Sequence, residues 1–327
     1  MPPVAPEPAV GSPSTVVPGS LGRVGFLGPR GTFTEQALLT QPDLAASELV
    51  ALASIGEVLR AVSGGAIDLG FLPIENAIEG TVNQTQDALA FTYDLLIQRE
   101  VVLDVVHCLM VKPGTSLADV KVVLSMPMAT AQVRPYLDEH LAAATVQAAN
   151  STAEAARLVA ESADATTAAV GPRTAADLYG LEVLADDLAG HEANQTRFVV
   201  VARHGTPAPT GHDKTTLVVY QRADEPGSLI SILQEFAARR INLSKLESRP
   251  TKEGGLGDYC FVIDADGHVA DELLADAMRD LHAKQGGVKF LGSYPAAGHH
   301  AAAAREHADA RWREADDWIQ ALRATIR

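Results

Sequence analysis

The chain contains 327 residues, of which 47% are hydrophobic and 20% charged, and its formal net charge is −15 at pH 7. This composition excludes a wholly disordered, collagen-like or coiled-coil chain. The acidic balance argues against nucleic acid or an anionic membrane as a partner, and no apolar run reaches the roughly 20 residues of a membrane helix. Two cysteines, Cys108 and Cys260, are too few for a disulfide framework or a thiolate metal site. We therefore expect a soluble, cytoplasmic protein.

The N-terminal 20 residues contain six prolines and no basic residue. A secretory signal requires a positively charged start followed by an apolar segment, and residues 1–20 have neither. The sequence therefore predicts that residues 1–20 form a disordered extension.

Between residues 21 and 205, short apolar runs alternate with amphipathic segments. The runs predicted as buried strands are 24–27, 69–72, 122–124 and 168–170. Capping-box pairs that predict helix starts are Thr32/Glu35, Ser54/Glu57, Thr81/Gln84 and Ser151/Glu154. This alternation predicts an α/β domain with a largely parallel sheet. The β-type stretches 100–111 and 197–202 interrupt it, and we expect them to be crossings between two lobes.

A second pattern begins after a linker at residues 206–213. Residues 214–295 follow the order βαββαβ, with strands near 214–220, 241–247, 259–263 and 288–291 and helices around 229–236 and 273–281. That order is typical of a ferredoxin-like α+β domain. Residues 296–327 are rich in Ala, Arg, Glu and Asp and predict a helical tail.

Polar residues follow several predicted strands, where open α/β sheets bind ligands. Residues 28–33 (GPRGTF) form a turn whose N–H groups can bind a carboxylate or phosphate, or an ordinary strand–helix connection. The other candidates at strand ends are Asn76, Thr81, Ser125, Gln132, Thr196 and Arg197. The alternative to a functional role is that they are ordinary turn, cap and surface residues. No metal-ligand spacing, Walker loop or GxSxG motif occurs, so we expect no metal or nucleotide.

These segments together resemble the prephenate dehydratase family over residues 23–295. NQTRF at 194–198 matches the family's TRF motif, and GPRGTFTE at 28–35 and PIEN at 73–76 match two further signatures. Residues 214–295 resemble an ACT regulatory domain, with ESRP at 247–250. The sequence departs from the family at Ser228 and Ile230, where GALV is frequent, and at Met126, where a histidine commonly stands.

The resemblance implies a bilobed α/β catalytic domain, similar to type II periplasmic binding proteins, followed by an α+β ferredoxin-like ACT domain. It implies decarboxylating dehydration of prephenate to phenylpyruvate without metal or cofactor. The catalytic residues that it implies are Thr196, Asn76, Ser125 and Gln132. The substrate-binding candidates are Gly31, Thr32, Thr81 and Arg197, although Arg197 can instead form a structural ion pair. We expect Thr196 to donate a proton or hydrogen bond to the departing hydroxyl.

The ACT resemblance also implies feedback regulation by L-phenylalanine bound between subunits of a homo-oligomer, either a dimer or a tetramer. The residues that it implies for this effector are Gly227, Ser228, Leu229, Glu247, Ser248, Arg249 and Pro250. Two alternatives are an arogenate dehydratase, which performs the same elimination on an amino acid side chain, and a non-catalytic sensor of aromatic acids with the same bilobed fold.

Overall fold

The computed structural model describes residues 21–189, 194–222, 225–251 and 259–297, together with residues 318, 319, 321, 323 and 324. The predicted extension at 1–20 and most of the predicted tail at 296–327 lie outside these residues. Within the described part of the chain, no helix is long and apolar enough to cross a membrane.

The first lobe is formed by the N-terminal half of the α/β region. Its elements are β1 (Arg23–Leu27), α1 (Phe33–Leu39), α2 (Pro42–Ala45), β2 (Glu48–Leu52), α3 (Ile55–Ser63), β3 (Leu69–Asn76), β4 (Gly80–Thr81), α4 (Asn83–Phe91) and β5 (Leu96–Asp104). The four predicted strands all form, two in this lobe and two in the next. The buried face of α3 carries the apolar residues whose spacing predicted it: Ile55, Val58, Leu59 and Val62.

The second lobe follows, and the chain then returns to the first. The elements of the second lobe are β6 (Cys108–Val111), β7 (Val122–Ser125), α5 (Pro127–Gln132), α6 (Arg134–His140), β8 (Thr145–Ala148), α7 (Thr152–Glu161), β9 (Thr167–Gly171), α8 (Arg173–Tyr179) and β10 (Glu182–Ala185), and the returning strand is β11 (Gln195–Ala202). The first sheet has the order β2-β1-β3-β11-β5, with β4 beside β3, and the second has the order β10-β6-β9-β7-β8.

The two crossings between lobes are confirmed, but the expectation of largely parallel sheets is wrong. The β11 strand runs antiparallel to both β3 and β5, and β6 runs antiparallel to β9 and β10. The chain leaves the first lobe along β5 and re-enters it along β11. The returning strand β11 makes the first sheet mixed, and β6, the strand that follows the outgoing crossing, makes the second sheet mixed.

Three of the four predicted helix caps form. The hydroxyls of Thr32, Ser54 and Ser151 each accept the backbone N–H three residues later. The fourth prediction, Thr81/Gln84, is wrong, because Thr81 lies in β4 and α4 begins after Val82 without a side-chain cap. The Thr81 hydroxyl is instead bonded to a distant strand, as described below.

The small domain has the predicted βαββαβ order. Its elements are β12 (Asp213–Tyr220), α9 (Ser228–Ala238), β13 (Leu243–Pro250), β14 (Tyr259–Asp266), α10 (Glu272–Lys284) and β15 (Gly287–Pro295), in an antiparallel sheet of order β13-β14-β12-β15. One face of this sheet packs against α9 and α10. The other face places Val218, Val262 and Tyr294 in one hydrophobic cluster with Leu89 and Val199 of the first lobe. The small domain is therefore docked on the first lobe through an apolar core.

Candidate active site

A hydrogen-bonded pair, Asn76 and Thr196, lies where β3 pairs with β11. The two residues are opposite each other across the antiparallel ladder, and Asn76 Nδ2 donates to Thr196 Oγ1 at 2.8 Å. Asn76 Oδ1 accepts the backbone N–H groups of Ile78 and Glu79, both at 2.9 Å. These two bonds fix the amide orientation, so Thr196 Oγ1 is an acceptor toward Asn76 and its own proton is available for another partner.

Gln132 joins this pair through Asn194. Asn194 Nδ2 donates to Gln132 Oε1 at 3.0 Å, and Asn194 Oδ1 accepts from Asn76 Nδ2 at 3.3 Å. His107 Nε2 lies 2.9 Å from the same Gln132 oxygen. We call Asn76, Thr196, Asn194, Gln132 and His107 the polar cluster. Three of the four predicted catalytic residues, Asn76, Thr196 and Gln132, thus lie in this cluster. Its members come from both lobes, and its donor groups are neutral.

Asn194 and His107 were not predicted as site residues. Asn194 lies two residues before Thr196, and alternate residues of an extended segment point to the same side, so this spacing was a usable signal. His107 stands in the β-type stretch 100–111, in the segment between β5 and β6, and had no local signal because its partner Gln132 is 25 residues away. Burial lowers the pKa of His107, although the hydrogen bond to Gln132 partly offsets this effect.

Ser125 lies outside the polar cluster. It ends β7, its side chain is fully buried, and its Oγ donates to the Val170 carbonyl at 2.8 Å. The hydroxyl proton is therefore engaged in the second sheet. Met126, the next residue, lines the interlobe cavity.

A cavity of about 590 Å³ lies between the two lobes. The first lobe contributes Gly28, Thr32 and Phe33, and the second contributes Met126 and Ser151. Phe33 also packs edge-on against the His107 ring, with centroids 5.2 Å apart, so Phe33 connects the cavity wall to the polar cluster, whose five residues are not themselves in that wall. The size of the cavity is within the range of small-molecule sites.

The turn at residues 28–33 differs from the expectation of free N–H groups at Gly31 and Thr32. The Gly31 N–H donates to the buried carboxylate of Glu35 at 2.5 Å, and Arg30 Nε bonds the other oxygen at 2.9 Å. The Thr32 hydroxyl caps α1 by accepting from the Glu35 N–H. The protein's own Glu35 thus occupies the anion position that we expected a substrate carboxylate to take at Gly31. Thr32 remains a wall of the cavity.

Arg197 forms the ion pair that was one of its two alternatives. Its guanidinium lies 2.7 Å from Glu75, 3.1 Å from Glu100 and 2.9 Å from Asp264, and its side chain is only 12% exposed. Burial alone would raise the pKa of Asp264, but Arg197 and then Lys214 lower it below its usual value. Arg197 therefore links the first lobe to β14 of the small domain, and these ion pairs favour the structural alternative over substrate binding.

Thr81 also contacts the small domain and does not contact the polar cluster. Its Oγ1 donates to Glu247 Oε2 at 2.6 Å and accepts from Lys245 Nζ at 2.8 Å. Arg249 bonds Asp87 of α4 at 2.8 Å. Because side chains alternate along β13, Glu247 and Arg249 face the first lobe. In this structure Thr81, Glu247 and Arg249 hold the two domains together, and their roles in ligand binding remain predictions.

The opposite face of β13 borders a second cavity, which we call the small-domain cavity. Its volume is about 460 Å³, and its lining includes Gly227, Ser228, Leu229, Ser248 and Phe261. Pro250 is exposed and is not part of this lining. Of the seven predicted effector-binding residues, four line the cavity. Within the described residues, no group of three or more His, Cys, Asp or Glu side chains could hold a metal ion.

Family models, curated relatives and solved structures indicate the same family for this chain. Residues 24–206 match the family model for prephenate dehydratase, and residues 215–283 match that for the ACT domain. A prephenate dehydratase of Mycolicibacterium vanbaalenii is 42% identical, covering 92% of this chain and 98% of the relative. The structure of a prephenate dehydratase from Arthrobacter aurescens in complex with L-Phe is 39% identical, with a TM-score of 0.82 over 92% of this chain and 99% of that one. GqqA, described as a novel type of quorum quenching acylase, is 30% identical, with a TM-score of 0.76 over 84% of this chain and 98% of that one.

Proposed function

Because the chain belongs to the prephenate dehydratase family, we propose that it converts prephenate to phenylpyruvate, CO₂ and water, and that L-phenylalanine regulates it through the ACT domain. The observation that carries this proposal is the Asn76–Thr196 pair, in which the Thr196 proton is free to be donated. Identity to the acylase relative is lower than to the two prephenate dehydratases, so we assign dehydration.

The reaction needs one proton at one oxygen. The bond between the ring carbon and its carboxylate breaks, the electron pair enters the ring, and the opposite ring carbon releases its hydroxyl as the ring becomes aromatic. A threonine hydroxyl is a weak acid, so Thr196 hydrogen-bonds the departing oxygen and passes its proton to it as the C–O bond breaks; the oxygen leaves as water, and Thr196 regains a proton from solvent. Asn76 Nδ2–H donates to Thr196 Oγ1 and stabilises the negative charge that develops there, since hydrogen bonds in a chain polarise each other.

Neutral donors hold the substrate in this proposal. Gln132 uses its Oε1 for Asn194 and His107, which leaves its Nε2H₂ group for a substrate oxygen. Arg197 does not serve here, because three carboxylates already surround it. Ser125, with its proton engaged by Val170, supports the end of β7. The Phe33 ring supplies an apolar wall beside the substrate ring.

The test of this function is a side-by-side rate measurement with prephenate and arogenate. We expect kcat/KM for prephenate to exceed that for arogenate, because the five residues of the polar cluster include no carboxylate that could pair with the ammonium of arogenate. A larger kcat/KM for arogenate would make the protein an arogenate dehydratase, and turnover of neither would favour a binding protein.

The small-domain cavity supports the proposed regulation. It is lined by Gly227, Ser228 and Leu229 at the start of α9 and by Ser248 of β13. Ile230 of α9, which also lines the cavity, and Leu246 of β13 are 60% and 43% exposed and would be covered by a second subunit. The protein would accordingly act as a cytoplasmic homo-oligomer with L-phenylalanine bound where ACT domains meet.

Filling the small-domain cavity should weaken the response to L-phenylalanine. Ser248→Trp puts an indole where the effector would lie, so the L-phenylalanine concentration for half-maximal effect should rise at least about tenfold, equivalent to about 1.4 kcal/mol of lost effector binding. Ser248→Ala keeps the cavity open and should respond like the wild type. The measurement is prephenate turnover against L-phenylalanine concentration, and an unchanged response in Ser248→Trp would remove the effector site from this cavity.

A further inference from the structure

His107 stands at the hinge between the two lobes. It is the last residue of the short segment that joins β5 to β6, and its carbonyl accepts the Leu188 N–H at 3.0 Å. Two residues earlier, the Val105 N–H donates to the Asn194 carbonyl at 2.7 Å. The segment that carries His107 is thus bonded both to Leu188 of the second lobe and to Asn194 at the start of the returning crossing.

The His107 side chain contacts both lobes although it is only 2% exposed. Its ring lies edge-on to Phe33 of α1, at an interplanar angle of 89°. Its Nε2 lies 2.9 Å from Gln132 Oε1 at the end of α5. Within the described residues, its buried Nδ1 has no hydrogen-bond partner. With Nδ1 unpaired, the Nε2 hydrogen bond and the edge-on contact with Phe33 are the contacts that orient the ring.

The hydrogen-bond directions of the polar cluster determine which ring nitrogen carries the proton. The backbone N–H groups of Ile78 and Glu79 make Asn76 Oδ1 an acceptor, so Asn76 Nδ2 is the donor toward Asn194 Oδ1. Asn194 then has its Nδ2 as the donor toward Gln132 Oε1. Since that oxygen accepts, His107 must donate from Nε2–H, and burial keeps the ring neutral by lowering its pKa.

We infer that His107 is a positioning residue for the elimination, which holds the Gln132 carboxamide so that its Nε2H₂ group faces the substrate. This inference rests on the proposed function. The two orientations of a glutamine amide differ only by exchanging oxygen and nitrogen, and the donors of His107 and Asn194 both select the one with oxygen toward the hinge. Without His107, Gln132 can turn its oxygen toward an anionic substrate and repel it.

The experiment compares His107→Leu with His107→Gln. The leucine variant lacks the donor, and we expect its KM for prephenate to rise roughly 10- to 100-fold, the range for loss of a hydrogen bond to a charged group. Its kcat should change much less, because Gln132 contacts the substrate in both ground and transition states. The glutamine variant places an amide N–H near the position of Nε2 and should restore most of the wild-type KM.

His268 provides the matched control. It is 4% exposed, and its Nε2 bonds the Pro207 carbonyl at 3.0 Å, away from the polar cluster. His268→Leu should lower the thermal midpoint and leave KM unchanged. An unchanged KM in His107→Leu, or an equal rise in the leucine and glutamine variants at position 107, would overturn the inference.

A second variant tests the Gln132 carboxamide through its other hydrogen-bond partner, Asn194. Asn194→Asp replaces the Nδ2 donor with a carboxylate oxygen, which would attract the Gln132 Nε2H₂ group away from the substrate. We expect a rise in KM comparable to that of His107→Leu, and a wild-type KM would contradict the inference even if His107→Leu fails to fold. If the wild type does not turn over prephenate, the proposed function fails. The dissociation constants of prephenate for the same variants, measured by calorimetry, then test whether His107 orients Gln132 toward this ligand.

Discussion

Thr196→Val should lower kcat for prephenate by roughly 10²- to 10⁴-fold, the range for general-acid assistance. Valine preserves the shape of threonine but removes the proton that the departing hydroxyl requires. Asn76 Nδ2 also loses its 2.8 Å acceptor, although the Gln195 carbonyl at 3.2 Å remains available to it. The measurement is steady-state phenylpyruvate formation, with KM expected to change less than kcat because the lost bond strengthens in the transition state.

Thr130→Val is the matched control for that substitution. Thr130 lies in α5, close to Gln132 in sequence, but its hydroxyl bonds only the Met126 carbonyl of its own helix. We expect kcat within a few-fold of the wild type, because removing such a back-bond does not alter the polar cluster. A Thr196→Val enzyme within a few-fold of the wild type, or an equal loss in Thr130→Val, would remove Thr196 from the acid role.

Arg197→Met should lower the free energy of unfolding by about 3–5 kcal/mol, the usual loss when one partner of a buried ion pair is removed. The substitution leaves Glu75, Glu100 and Asp264 facing one another without the guanidinium that now lies within 3.1 Å of each. The measurement is the urea midpoint of the purified protein. A substrate-binding arginine would behave differently, because its loss would raise KM and leave the midpoint nearly unchanged.

Arg134→Met provides the comparison for an exposed ion pair. Arg134 pairs with Asp138 one helical turn away at 2.7 Å, and both side chains are more than half exposed. Such exposed pairs contribute little to stability, because water and salt screen the two charges. An Arg197→Met midpoint no lower than that of Arg134→Met would contradict the structural role of Arg197.

Local elements of this protein could be predicted from its sequence. The strands formed where apolar runs occurred, and Thr32, Ser54 and Ser151 cap helices because a hydroxyl can reach an N–H three residues away. The βαββαβ order of the small domain followed from its alternating strand and helix patterns. Such predictions succeed because both partners of each interaction lie within one turn of helix or one strand.

Partners that are distant in the sequence could not be predicted in the same way. Thr81 satisfied the local rule for a cap, but a carboxylate 166 residues away took its hydroxyl instead. Arg197 stands beside Thr196 in one motif, yet alternation on β11 turns it toward Asp264 of another domain. The same alternation divides the ESRP segment, so that Ser248 lines a cavity while Glu247 and Arg249 join the domains. Which face meets which neighbour depends on tertiary packing.

The most direct test of the proposed function is phenylpyruvate formation from prephenate by the purified protein in the presence of EDTA, followed by absorbance in alkali. Our account predicts catalytic accumulation of phenylpyruvate with no added metal or nucleotide, because the Asn76–Thr196 pair supplies the one hydrogen bond that the departing hydroxyl needs. Prephenate that binds to the protein but persists unchanged would contradict the account.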